Sequence, residues 1–141
     1  MGVTTEQFYD DRHVAFLPMG FCFPGLDAKG GDLPPRRECA PLWRRKLLDH
    51  LPELQLMLLV GQYAQRWHLT ERKRAPWRAS LSDTVRQWRT LNDDAPPPVV
   101  IPLPHPSWRN NTWLKANAWF EAELVPDLRA RIAAALRSAR A

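Results

Sequence analysis

Apolar and polar residues follow two patterns along this chain, and each pattern predicts a different element. Nearly continuous apolar runs at residues 54–60 (LQLMLLV) and 99–103 (VVIPL) predict short strands that are covered on both faces. A third strand is predicted at residues 13–19 (HVAFLPM), where Pro18 indicates a strand end or a sheet edge. Helix-spaced apolar residues fill the segments between the strands. This alternation predicts an α/β fold, a three-layer α/β/α sandwich around a short central parallel sheet.

Five segments carry the helical pattern. They are residues 38–50, the segment from Gly61 to Leu69, a helix capped by Ser80 or Ser82, a helix from Asn110 or Asn111 to Asn117, and residues 119–139. The last is the most regular, because apolar residues recur at every fourth position: Phe120, Leu124, Leu128, Ile132 and Leu136. Pro126 lies in that segment and predicts either a kink or the start of a new helical segment.

The length and hydropathy of the chain narrow the classes of protein to which it could belong. With 141 residues the chain is expected to fold as a single domain, residues 1–141. No stretch approaches about 20 consecutive apolar residues, and the N-terminus lacks a basic-then-apolar leader pattern. We therefore expect a soluble, cytoplasmic monomer that does not contact a membrane. The two cysteines do not indicate a disulfide framework.

Basic residues exceed acidic ones, with 20 Lys and Arg against 15 Asp and Glu and a net charge of +5. Arginine predominates, and its guanidinium can bind phosphate through two hydrogen bonds and stack on bases. Nucleic acid is therefore one candidate partner, and a basic surface that serves only solubility is the other explanation. Three clusters could follow a phosphate backbone: Arg36-Arg37, Arg44-Arg45-Lys46 and Arg72-Lys73-Arg74. A solvated helix face is the simpler explanation for the middle cluster.

The candidate chemistry is concentrated in residues 99–111 (VVIPLPHPSWRNN). Here a strand stops abruptly at a run of prolines and delivers His105 and Ser107 at its end. Ligands of open α/β sheets bind in the crevice beyond the carboxyl ends of the strands. An imidazole in that position can donate a hydrogen bond to an oxygen that gains negative charge as a bond breaks. The alternative is a surface histidine in a proline-rich turn.

The His105-Pro106-Ser107 turn, followed by Arg109 and Asn110, resembles the second active-site motif of the uracil-DNA glycosylase superfamily. Two other segments are similar to the iron–sulfur, family 4-like members and occur in the same order. They are the segment from Met19 to Cys39, with MGFC, PPR and EC, and the turn from Leu58 to Ala64, with LLVG. The resemblance covers approximately residues 8–136, almost the whole chain.

This resemblance implies a DNA-repair glycosylase-like protein that hydrolyses the N-glycosidic bond of uracil or another deaminated base. His105 would be the catalytic residue and would stabilise negative charge on the departing base. Ser107, Trp108, Arg109 and Asn110 would bind DNA: Ser107 would contact a phosphate, and Trp108 or Arg109 would enter the base stack while the base is extruded. Hydrophobic packing beside the turn is the alternative for Trp108.

The resemblance is incomplete at the N-terminal side. The family's first motif, a glycine-rich strand end that holds the hydrolytic water, belongs before residues 13–19, and nothing before His13 matches it. We therefore expect that the chain lacks the first strand and helix of the family fold, corresponds to its C-terminal two-thirds, and has an incomplete active site. A non-catalytic DNA-binding remnant is the alternative function. An unrelated α/β hydrolase using His105 and Ser107 is disfavoured because no Gly-x-Ser-x-Gly elbow is present.

Base recognition and the cofactor follow from the same resemblance. Where relatives carry an asparagine that recognises the uracil edge, this chain has Pro18, so the identity of the excised base is not implied. Cys22 and Cys39 would be the second ligand pair of a [4Fe–4S] cluster, which needs four ligands. We thus expect no complete cluster in this chain alone, and a cluster only in a longer form. Two thiols without a ligand role are the alternative.

Overall fold

The computed structural model describes residues 2–71, 80–93 and 97–138. Its helices and strands are α1 (Thr5–Phe8), α2 (Arg45–Asp49), β1 (Leu56–Val60), α3 (Gln62–Glu71), α4 (Leu81–Arg86), β2 (Val99–Leu103), α5 (Asn111–Ala116) and α6 (Val125–Ser138). Wider π-type turns at Ala40–Arg44 and Phe120–Leu124 precede α2 and α6, and short 3₁₀ turns occupy Thr90–Asn92 and Trp108–Asn110. The described residues fall into two compact units, one made of those within residues 1–14 and 54–141 and the other of residues 15–53.

The two strands pair in parallel, as their apolar runs predict. Leu56 lies opposite Val99 and Val60 opposite Leu103, so β1 begins two residues later than the predicted run. One face of this sheet packs against α4, α6 and the turns that adjoin them, through a cluster of buried side chains: Val85, Trp88, Ile101, Leu103, Leu124 and Leu128. Residues of the opposite face are buried as well, since Leu59 is 1% exposed and Val100 is fully buried. The predicted α/β class with a short parallel sheet covered on both faces is confirmed.

The outer edge of β2 explains how a proline is accommodated within a strand. Val99 donates its N–H to the carbonyl oxygen of Gln55 at 2.8 Å. Because backbone N–H groups point alternately to the two sides of a strand, the backbone nitrogen of Pro102 points away from β1. Pro102 therefore removes no ladder hydrogen bond. On the same edge the Asn92 amide accepts from Val100 N–H at 2.7 Å and donates to Val100 O at 2.9 Å. A side chain and a proline thus close this edge to further strands.

Residues 13–19 do not form the predicted strand; they have no regular secondary structure. The carbonyl oxygens of Leu17 and Pro18 each accept a hydrogen bond of 2.9 Å from the Arg44 guanidinium. Pro18 has no N–H to contribute to a ladder, and Phe16 is 63% exposed. The backbone of this segment is therefore satisfied in part by a side chain, and the strand prediction was wrong.

Pro126 marks the start of a new helical segment, one of the two predicted outcomes. It is the second residue of α6, directly after the π-type turn Phe120–Leu124. Proline has no N–H to donate to the preceding turn, so its place near a helix start avoids a lost hydrogen bond. Leu124 and Leu128 of the predicted stripe are buried on either side of it. Among the described helices, none is both long enough and apolar enough to cross a membrane.

We expect Leu124→Ala to lower the free energy of unfolding by about 2–5 kcal/mol, because it opens a cavity in the cluster that joins α6 to the sheet. Leu124 is fully buried. The matched control is Leu42→Ala, whose side chain is 55% exposed and whose loss should cost no more than about 0.5 kcal/mol. Urea unfolding followed by circular dichroism measures both. Equal losses in the two variants would contradict the assignment of the core.

Candidate active site at the strand ends

The carboxyl ends of β1 and β2 lie side by side and are joined by a hydrogen bond. Gly61, the first residue after β1, donates its N–H to the carbonyl oxygen of Leu103 at 2.9 Å. Gly61 has a φ of +82°, and a Cβ atom there would lie 3.5 Å from the Cβ of His105. A side chain at position 61 would be strained by this φ and would contact the histidine. Glycine therefore turns the chain here and leaves room for His105 beside the backbone.

Gln65 secures both strand ends from α3. Its side chain is buried, and Nε2 donates to the carbonyl oxygens of Leu103 at 2.8 Å and Leu59 at 3.3 Å. Its backbone N–H donates to the Gly61 carbonyl at 3.2 Å. A buried amide that makes such bonds fixes the direction in which the chain leaves each strand.

Gln65 was not among the residues predicted from the sequence. One feature could have identified it: Gln65 lies one helical turn after the glycine at the strand end and shares a helix face with the buried Leu69. A polar residue on an apolar helix face close to a strand end needs a hydrogen-bond partner, and the nearest partners are strand-end carbonyls.

The turn after β2 is held by its own backbone and by Asn110. The His105 carbonyl oxygen accepts from Ser107 N–H at 2.8 Å and from the Asn110 amide at 2.6 Å. Asn110 N–H in turn donates to the Ser107 carbonyl at 2.9 Å. Asn110 therefore orders the turn, and a direct contact between its side chain and DNA stays a prediction.

The side chains predicted to bind DNA or to stabilise the departing base are exposed or partly exposed on this turn. The His105 side chain is exposed, and Trp108 is 77% exposed, with the Arg109 guanidinium 5.7 Å from its ring centroid. Such exposure is unusual for tryptophan, so packing beside the turn does not account for Trp108. Ser107 is half-buried and its hydroxyl makes no capping hydrogen bond to the turn that follows. The turn thus brings His105, Ser107, Trp108 and Arg109 together on one ordered loop.

Cys22 and Cys39 lie in the unit formed by residues 15–53. Their Sγ atoms are 4.0 Å apart and both thiols are free. Within the described residues, no group of three or more His, Cys, Asp or Glu side chains is placed to hold a metal ion. A [4Fe–4S] cluster takes four ligands, usually cysteine thiolates, so this pair supplies half of a set. The residues described therefore do not fit a complete cluster.

The basic clusters differ in how far their side chains are exposed and could therefore reach a phosphate backbone. Arg44 is 4% exposed, donates to the carbonyls of Leu17 and Pro18, and has a guanidinium whose pKa is lowered by burial. The interpretation of the middle cluster as a solvated face is therefore wrong for Arg44, which is a structural residue. Arg36 and Arg37 are exposed. The cluster Arg72-Lys73-Arg74 lies outside the described residues.

Comparison with known families agrees with the resemblance carried by the strand-end turns. A family model described as the Uracil DNA glycosylase superfamily matches residues 1–129, which include both the Gly61 turn and the His105 turn. The chain belongs to the uracil-DNA glycosylase superfamily. Its function is accordingly DNA glycosylase-like, and DNA is the substrate class of this superfamily.

Replacing Gln65 by methionine keeps the volume and removes both strand-end hydrogen bonds. We expect Gln65→Met to lower the free energy of unfolding by about 1–3 kcal/mol, because buried carbonyls lose a donor. Gln62→Met on the same helix is the matched control, since Gln62 is exposed and its replacement should cost at most about 0.5 kcal/mol. Chemical denaturation measures both. A stable Gln65→Met variant with unchanged His105 ring signals in NMR spectra would argue against this role of Gln65 at the strand ends.

Proposed function

We propose that this chain hydrolyses the N-glycosidic bond of uracil or another deaminated base in DNA, with His105 as the residue that stabilises the departing base. The observation that carries this proposal is the position of His105. It is an exposed imidazole on an ordered turn at the carboxyl ends of two parallel strands, within the region that matches the superfamily. Ligand sites of α/β sheets lie at such strand ends.

The physical role of the imidazole follows from the direction of electron flow. As the bond between the base and the sugar lengthens, its electron pair moves to the base, and a carbonyl oxygen of the base gains negative charge. A water molecule bonds to C1′ of the sugar, and the proton that it loses is taken up by the departed base. An N–H of His105 directed at that oxygen stabilises the charge and lowers the barrier. Asn110 and Gln65 donate to the carbonyl oxygens of His105 and Leu103, so the backbone that carries the imidazole is held in place before the base binds.

The neighbouring residues support access to the base. A base inside a duplex must be extruded before its glycosidic bond can be reached, and extrusion costs unstacking energy. The exposed Trp108 ring can stack in the gap, and Arg109 and Ser107 can bind the flanking phosphates.

Two finer assignments are part of this proposal. The iron–sulfur, family 4-like assignment is supported by the positions of Cys22 and Cys39 in the sequence. A cytoplasmic monomer is proposed from the hydropathy and charge of the chain.

The second candidate function is DNA binding without turnover, favoured by the net charge of +5 and by the exposed Trp108 and Arg109 of the turn. It predicts salt-sensitive binding and no base release.

His105→Ala should reduce base release by about 10²–10³-fold, because it removes a hydrogen bond to developing negative charge. Release of uracil and of hypoxanthine from end-labelled oligonucleotides measures the rate. His50→Ala is the matched control, since His50 is exposed and lies outside the turn, and it should retain the full rate. An unchanged rate for His105→Ala would refute the catalytic role, and absence of release by the unaltered protein would leave binding without turnover as the function.

Binding to DNA should weaken as salt concentration rises, since phosphate contacts release counterions. Arg109→Ala should reduce the slope of log K against log salt by about 1, the value for one lost phosphate contact. Trp108→Ala should lower affinity and leave the slope unchanged, because stacking does not displace ions. Fluorescence anisotropy with a labelled duplex measures both, and Arg137→Ala, an exposed arginine of α6, is the control. Affinity that does not depend on salt would rule out this mode of binding.

A further inference from the structure

A surface recess of 140 Å³ lies beside the end of α4 and the turn that precedes α6. It is lined by Arg86, Trp88, Arg89, Trp119 and Glu123. The three charged side chains are exposed, whereas Trp88 is 3% exposed and Trp119 is half-buried. The two rings therefore form the inner wall of the recess, and the charged groups reach the solvent.

The tryptophan rings hold both arginines in place. The Arg86 Cζ lies 4.5 Å from the centroid of the Trp119 ring, and the Arg89 Cζ lies 4.2 Å from that of Trp88. The rings are stacked on each other, with centroids 5.6 Å apart and planes 10° apart. Contacts of this kind restrict the motion of a guanidinium, so less conformational entropy is lost when it binds an anion.

The charges of the recess are unequally paired. Arg89 Nη1 donates to Glu123 Oε2 at 3.1 Å, whereas Arg86 has no ion pair with any carboxylate of the described residues. Two guanidiniums and one carboxylate leave a single net positive charge at the recess. A phosphodiester group carries a single negative charge, and its oxygens can accept two hydrogen bonds from one arginine. The recess therefore matches a DNA phosphate in both charge and donors.

The recess lies apart from the His105 turn. Arg89 directly precedes the turn Thr90–Asn92, and the Asn92 side chain bonds to Val100 near the amino end of β2. His105 follows the carboxyl end of the same strand. The five residues of β2 span about 16 Å at ~3.3 Å per residue. Since phosphates follow one another at about 3.4 Å along a DNA strand, roughly five nucleotides cover this length.

We propose that this recess binds a backbone phosphate of DNA that flanks the segment held at the His105 turn. Arg86 supplies the main contact because no carboxylate of the described residues competes for it, and Arg89 contributes the N–H groups that Glu123 leaves free. DNA is the substrate class of the superfamily to which the chain belongs. The proposal rests on the proposed function, because the bound polymer is the DNA that the turn engages.

Binding to DNA of two lengths tests the proposal, with fluorescence anisotropy as the readout. A hairpin of roughly 6 base pairs with a central uracil reaches only about 10 Å to either side and so falls short of the recess, whereas a duplex of roughly 24 base pairs extends beyond it. Arg86→Gln should weaken binding to the duplex several-fold, lower its slope of log K against log salt by about 1, and leave the hairpin unaffected. Arg137→Gln, an exposed arginine of α6, is the matched control.

Glu123→Gln should have the opposite effect. Removing this carboxylate frees the Arg89 guanidinium and raises the positive charge of the recess, so the duplex should bind several-fold more tightly while the hairpin is unaffected. Glu121→Gln makes the same change of charge at an exposed residue outside the recess and should change duplex binding less. A purely structural role of the Arg89–Glu123 pair would not produce tighter binding, so this variant tests the proposal even where Arg86→Gln perturbs the fold.

Three outcomes would overturn the proposal: equal weakening of hairpin and duplex by Arg86→Gln, the same loss in Arg137→Gln, or unchanged duplex binding by Glu123→Gln. Salt-dependent binding of the unaltered protein to both DNAs, together with any of these outcomes, would leave the proposed function intact. Absence of binding to either DNA would overturn both proposals.

Discussion

The geometry of the candidate site depends on the hydrogen bonds that join the ends of two strands. Gly61 N–H and the Gln65 amide both donate to the Leu103 carbonyl, the last carbonyl of β2. This carbonyl is therefore shared by the turn after β1 and by the helix α3, and the direction in which the chain continues to His105 is fixed by both. Without these two donors the Leu103 carbonyl would lose its hydrogen bonds to the turn after β1 and to α3.

The same constraint links the fold to function. The sheet is buried on both faces, so the strand ends are among the few places where its residues meet solvent. At that point the turn after β2 exposes an imidazole and an indole, while Asn110 holds the backbone on which they stand. A rigid backbone that carries accessible side chains is what leaving-group stabilisation and base extrusion require.

Apolar periodicity predicted the two parallel strands and the stripe from Phe120 to Leu136, because burial of apolar residues determines these features directly. The run of prolines that ends β2 predicted the turn that presents His105. The strand at residues 13–19 was predicted wrongly, because the pattern could not reveal that the Arg44 guanidinium satisfies the carbonyls of Leu17 and Pro18. Gln65 and Asn92 were missed for the same reason. Each acts through backbone groups remote in sequence or on another element, and such partners become visible only when the chain is folded.

If His105 stabilises the departing base, it must contact that base when this chain binds DNA. Two-dimensional NMR of the histidine rings, recorded while a duplex containing one uracil is added, detects this contact. The chain has four histidines, and we expect the His105 ring signals to shift while those of His13, His50 and His68 stay in place. Saturable DNA binding with unmoved His105 signals would contradict it.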